Sequence, residues 1–242
     1  MMNTFKKDLL AVNIYETRSE MGEAAARDIK ASILSLLEAK ETVNMIFAAA
    51  PSQNDVLWGL ATDREIPWNR VNAFHMDEYI GLPADAPQGF GNFLKERIFG
   101  LAPFKSVNYI DSTATDPDVE CERYSALLKA NPTDIVVMGI GENGHIAFND
   151  PPVADFNDKK VVKPVELDEI CRNQQVNDGC FAKLDRLADS RMVRDSIHEQ
   201  DLIRRKAQNI QNLRLQFGER TVTALRQRMI DQRQILERSV TD

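Results

Sequence analysis

The 242-residue sequence predicts an α/β protein: an open, mostly parallel sheet with helices on both faces. Three observations predict it. Short apolar runs without polar alternation, such as Ile135 to Met138, read as strands buried on both faces. Strand, small-residue loop and helix recur through the first 185 residues, the pattern of parallel strands joined by crossover helices. Glycine, alanine or carboxylate residues follow several of the apolar runs, at the sheet edge where open α/β folds bind small molecules.

Taken in order, Leu10 to Ile14 is a short candidate strand. Ser19 to Leu37 has helical spacing and many alanines, with Ser19 as its expected cap. Thr42 to Ala50 is a second strand, running through Pro51-Ser52-Gln53-Asn54-Asp55 into a helix from about Val56. Asn72 to Met76 is a third strand and ends in Asp77-Glu78-Tyr79. After the proline-rich loop from Gly81 to Gly89, Phe90 to Phe99 is helical. Val107 to Ile110 is a strand, Pro117 to Ala130 a helix, and Asp134 to Met138 the next strand.

Hydrophobic content of 43% and charged content of 28% are ordinary for a folded domain. A net charge of −7 argues against a nucleic-acid partner bound by phosphate neutralisation. No apolar stretch approaches a membrane span, and Lys6, Lys7 and Asp8 interrupt any signal-like N-terminal segment. Cys121, Cys171 and Cys180 show no metal spacing and read as free thiols, so no metal is expected of them, and the location expected is cytoplasmic.

The segment from Asp134 to Pro151 carries most of the functional information. Its apolar run is followed by Gly139, Gly141 and Gly144, then His145, then Asp150. Glycines let backbone turn sharply and approach a ligand closely, and histidine moves protons near neutral pH. The bland reading is a Gly-rich turn with a structural histidine, and taken alone that is the commoner case.

Three segments coincide to change the balance: Phe74-His75-Met76-Asp77-Glu78-Tyr79-Ile80-Gly81-Leu82-Pro83, Gly139 through Pro151, and Ala48-Ala49-Ala50-Pro51-Ser52. Together they resemble the glucosamine-6-phosphate deaminase (isomerase) family, which is related to 6-phosphogluconolactonase, and the likeness runs from about residue 10 to Asp185. The resemblance implies a Rossmann-like fold, a sugar-phosphate substrate, and cofactor-free conversion of glucosamine 6-phosphate to fructose 6-phosphate and ammonia. It implies that Asp77 is the proton-abstracting carboxylate, His145 the ring-opening histidine and Asp150 the acid that fixes its imidazole. Asn143 stands where many members carry an aspartate, so it can orient a nitrogen but adds no charge. Substrate contacts are expected from Glu78, Gly141 and Gly144, and from Ala50, Ser52 and Gln53, where amides at a helix start offer an anion site. An isolated Asp-Glu pair after a strand is otherwise a turn or cap, and an ordinary capped helix is an equal reading of the Ala50 loop.

After Asp185 the composition shifts. Residues 186 to 242 hold eleven arginines and one lysine, no proline and a single glycine, Gly218, which reads as an Arg/Gln-rich helical tail appended to a domain of residues 1–185. The family's Pro-Thr-His-Ala segment and late phosphate-binding lysine are not found there. The tail then reads as a helix covering the sheet or pairing with another copy, as a disordered appendage, or as a frame-shifted product. The last rests on Ala188-Asp189-Ser190-Arg191, which can yield Pro-Thr-His-Ala in another frame. Alternatives to the deaminase are a 6-phospho-sugar lactonase and a non-catalytic sugar-phosphate binder.

Overall fold

Four short parallel strands form the centre of the computed structural model, which describes residues 3–7, 10–141, 144–150, 153–155, 157–167, 169, 172, 173, 176 and 191–195. A two-stranded antiparallel ribbon precedes them, β1 (Asn3–Lys7) with β2 (Leu10–Ile14). The central sheet has the order β6 (Ser106–Asn108), β4 (Val71–His75), β3 (Val43–Phe47), β7 (Ile135–Val137). Every residue of β3 and β4 is buried, as two-sided burial requires. The Rossmann-like arrangement expected from the sequence is therefore the observed one.

Helices cover both faces. Val43, Met45 and Phe47 pack with Ala73 under α1 (Arg18–Ala39), α2 (Asn54–Thr62) and the Lys95–Phe99 turn. Ile46 and Phe74 point the other way, onto Cys121, Tyr124 and Leu128 of α4 (Pro117–Ala130). Helix α1 starts at an N-cap: the Thr17 side chain accepts from the Glu20 N–H at 3.2 Å. The cap is thus Thr17 rather than Ser19, because Thr17 is the residue in extended backbone with its hydroxyl over the first turn. Helices α1 and α2 touch through small residues; a Cβ at Gly22 would fall 2.4 Å from the Asp55 Cβ. The helix expected over 90–99 divides into α3 (Phe90–Leu94) and a wider π turn, Lys95–Phe99, closed by the Gly100 N–H on the Lys95 carbonyl.

Register in the parallel sheet is fixed by polar side chains among the apolar ones. Asn72 donates to Asn44 at 2.9 Å and accepts from Ser106 at 2.8 Å, one row across three strands. The Asp134 carboxylate takes the Asn44 N–H at 3.0 Å and so ties in the start of β7.

A second sheet has the order β5 (Asp77–Tyr79), β9 (Arg191–Asp195), β8 (Val162–Glu166), all antiparallel. The helical expectation for the tail fails at residues 191–195, which form the middle strand. Two backbone edges, on β5 and β8, are available to this segment, and a ladder on both sides outweighs local helical preference. The rest of the tail lies outside the described residues. Strand β8, with Pro164 at the sheet's edge, was not anticipated either. Among the described residues, no helix is long and apolar enough to cross a membrane.

Val193 pairs with Glu78 on one side and Pro164 on the other. Val193→Pro removes a ladder donor from a strand flanked on both edges and is expected to cost about 1–3 kcal/mol in denaturant unfolding. An unchanged midpoint would mean that β9 contributes nothing to stability.

Candidate active site

All four strands of the central sheet run the same way, so the loops after β3, β4 and β7 leave from one edge. Strand β3 lies between the other two. The Ala48 N–H binds the Val137 carbonyl at 2.8 Å, and the Met76 N–H binds the Phe47 carbonyl at 2.9 Å. Ile146 and Ala147 pack with Phe74 and Met76 in one cluster, which brings the His145 loop beside the Met76–Asp77 segment.

His145 is held on several sides. Its Nδ1 lies 3.0 Å from Asp150 Oδ1, and the Asp150 side chain is almost fully buried. A buried carboxylate on Nδ1 fixes the Nδ1–H tautomer and leaves Nε2 as the exchanging nitrogen. Gly141 lies against the ring: a Cβ there would fall 2.2 Å from His145 Cε1. The Gly141 N–H binds the His145 carbonyl and the Gly144 N–H binds the Gly141 carbonyl, both at 2.9 Å. Gly144 has φ of 88°, a conformation that requires glycine at this tight return. Gly141 and Gly144 thus shape the loop. Glu142 and Asn143 lie outside the described residues.

Asp77 begins β5 and is only 5% exposed. Glu78 has a different use from the substrate contact expected of it. Its carboxylate accepts from the N–H groups of Tyr79, Phe90 and Gly91 at 2.9, 3.0 and 2.8 Å, and so anchors the start of α3. Burial pushes its carboxyl above the usual range, while the three N–H groups pull it back. A carboxylate engaged by three amides is a structural clamp for the residue before it.

His75, part of the Asp77 motif but given no role from sequence, is a further buried titratable group. Its Nε2 accepts from the Ile110 N–H at 3.1 Å, its carbonyl accepts from the Tyr124 hydroxyl at 2.9 Å, and its Nδ1 has no partner. The signal for it was its place two residues before Asp77, beside the apolar pair Ala73-Phe74.

On the β3 loop, Ala50 is in extended backbone ahead of a 3₁₀ turn, Pro51–Gln53. The Gln53 amide donates to Ser52 Oγ at 3.3 Å and faces Gly139, where a Cβ would lie 3.1 Å away. The first turn of α2 carries Asp55, paired with Arg18 at 2.5 Å. The polar groups this loop presents are the exposed Ser52 hydroxyl and the adjoining amides, with Arg18 offsetting the charge of Asp55. Among the described residues, no group of three or more His, Cys, Asp or Glu is gathered to hold a metal ion. Cys121 is buried, and burial with nearby acids pushes its thiol up to about 12; Cys171 and Cys180 lie outside the described residues.

The family described as glucosamine-6-phosphate isomerases/6-phosphogluconolactonase matches residues 16–165. The chain belongs to this family. A glucosamine-6-phosphate deaminase of Bacillus cereus is 32% identical over 170 residues, 70% of this chain, and one of Bacillus thuringiensis matches equally. The chain spans 61% of the length of these relatives. Among solved structures, a monomeric glucosamine-6-phosphate deaminase superposes with a TM-score of 0.67 at 25% identity, covering 77% of this chain and 76% of that one. The 6-phosphogluconolactonase of Shewanella baltica superposes with a TM-score of 0.66 at 14% identity, covering 93% and 88%, and shows the shared fold. Family membership extends over the elements that carry Asp77, His145 and Asp150.

Burial pushes the His75 imidazole from 6.5 down to about 3. The unfolded chain then binds this proton more tightly than the folded one, so stability is full above pH 6.5 and falls as pH drops toward 3. Between pH 7 and pH 5 the expected loss from this group is about 2 kcal/mol. Urea unfolding at the two pH values measures it, and His75→Gln should flatten the dependence; equal slopes in both proteins would count against it.

Proposed function

We propose that the chain deaminates and isomerises an amino-sugar phosphate, turning glucosamine 6-phosphate and water into fructose 6-phosphate and ammonia. The observation that carries this reading is that buried Asp77 and the His145–Asp150 couple follow β4 and β7 at the same edge of the parallel sheet, one on each side of β3.

The chemistry needs two kinds of proton transfer. Opening the sugar ring moves a proton from the C1 hydroxyl to the ring oxygen as the C1–O5 bond breaks. His145 Nε2, with Nδ1 turned to Asp150, is suited to that exchange. The open-chain aldehyde then makes the C2 proton acidic. Asp77 is the base for it, and returning the proton to C1 leaves an imine at C2, which water converts to the ketose with loss of ammonia. Ser52 and the amides around Gln53 are the proposed phosphate contacts, with Gly141 and Gly144 shaping the sugar's approach. The relatives named as deaminases support this reading, and so does Asp77.

A second reading, hydrolysis of a 6-phosphogluconolactone with His145 activating water, draws on the lactonase structures of the same fold. Lactone opening has no use for a C2 base, which favours the first reading. Side-by-side assays separate them: ammonia from glucosamine 6-phosphate supports deamination, whereas acid release from the lactone with no ammonia would replace it.

Asp77→Asn keeps the shape and removes the base, so turnover should fall roughly 10²-fold or more. Solvent-proton exchange at C2 that continues unchanged would remove Asp77 from the mechanism. His145→Gln should slow the closed sugar far more than an open-chain analogue, and equal losses on both would place His145 in another step.

A further inference from the structure

Between the strand that carries Asp77 and the imidazole of His145 runs an unbroken series of rings. Tyr79, two residues after Asp77, lies 4.7 Å from Phe90 between ring centroids. Phe90 stacks on Phe148 at 5.9 Å with the planes 11° apart, and Phe148 stacks on His145 at 5.1 Å and 23°. Tyr79, Phe90 and Phe148 are all buried and form one cluster with Val165 and Leu167. The middle ring is itself anchored, because the Phe90 N–H is bound by the Glu78 carboxylate.

Phe148 reaches its place at a conformational cost. Ala147 and Phe148 both have φ of 52°, the left-handed region that ordinary residues avoid. Such backbone persists only where its surroundings over-determine it. Contacts of the Phe148 ring with Phe90 and with His145 are among those that hold it.

We propose that Phe148, backed by Phe90, is a positioning residue that sets the plane of the His145 imidazole relative to the Asp77 strand. The proposal rests on the reading of His145 and Asp77 as the reacting pair. Asp150 fixes one nitrogen and Gly141 closes in beside the ring; Phe148, stacked on the imidazole, limits rotation about the Nδ1 contact. The direction of Nε2, and with it the reach to the sugar's ring oxygen, then depends on Phe148.

The test uses the full chain with Phe148→Leu, Phe148→Tyr and Phe90→Leu, the last in case the first does not fold. Imidazole ¹⁵N–¹H correlation spectra report the His145 tautomer without any substrate; there are three histidines in the chain, and the His145 signals are those lost in His145→Gln. Wild type and Phe148→Tyr should hold the Nδ1–H form, and the leucine variants should show a mixture. With glucosamine 6-phosphate, the leucine variants should lose about tenfold or more in kcat with KM little changed, the scale of a misplaced group, and Phe148→Tyr should restore it. A leucine variant that melts earlier yet keeps both the tautomer and kcat would overturn the proposal. If wild type releases no ammonia, the functional reading fails, and the tautomer spectra alone decide the role of Phe148.

Discussion

The row of side chains Ser106, Asn72 and Asn44, with Asp134 joining from β7, is the constraint on which everything else depends. Parallel strands that are apolar on both faces have little in their own pattern to forbid a slip. A slip by one residue would turn each strand's side chains to the opposite face. Amides and carboxylates that match only in one register add a strong penalty, because buried polar groups left unpaired cost far more than a satisfied pair gains. With register fixed, the ends of β3, β4 and β7 come level, and three unrelated loops meet at one place.

At that place the division of labour is physical rather than sequential. Asp77 and Glu78 are neighbours of the same chemical type, yet one opens the second sheet and the other is bound by three amides. Glu78 holds the start of α3 to the strand, and α3 brings Phe90 to the aromatic cluster. His75, neutral and buried beneath them, ties β4 to the loop after β6 through the Ile110 N–H. The candidate site is thus braced by buried side chains held by backbone N–H groups.

Much of this was legible in the sequence. The central strands, helices α1, α2 and α4 and the Asp77 and His145 motifs all follow from apolar period, cap chemistry and a long resemblance. What was not legible arises from contacts distant in sequence. Arg191–Asp195 has no strand pattern of its own strength and becomes one because β5 and β8 offer it two edges. The structural use of Glu78 depends on where the start of α3 falls, which its own neighbours do not encode. One local feature also differed: Thr17 rather than Ser19 caps α1, because the chain is extended at Thr17 and its hydroxyl meets the Glu20 N–H.

The antiparallel sheet has a further consequence, for the order in which the chain can complete itself. Asp77 is paired in register with Arg194, nearly half the chain away, whereas the parallel sheet has all its strands by Val137. During synthesis the sheet edge that carries the His145 loop can form while β5 still lacks its partner. Contacts so far apart close last, because the loop entropy must be met before they contribute. The strand that begins at Asp77 is thus the last part of the candidate site to be locked, and a chain released early would have the outline of the site without its fixed geometry.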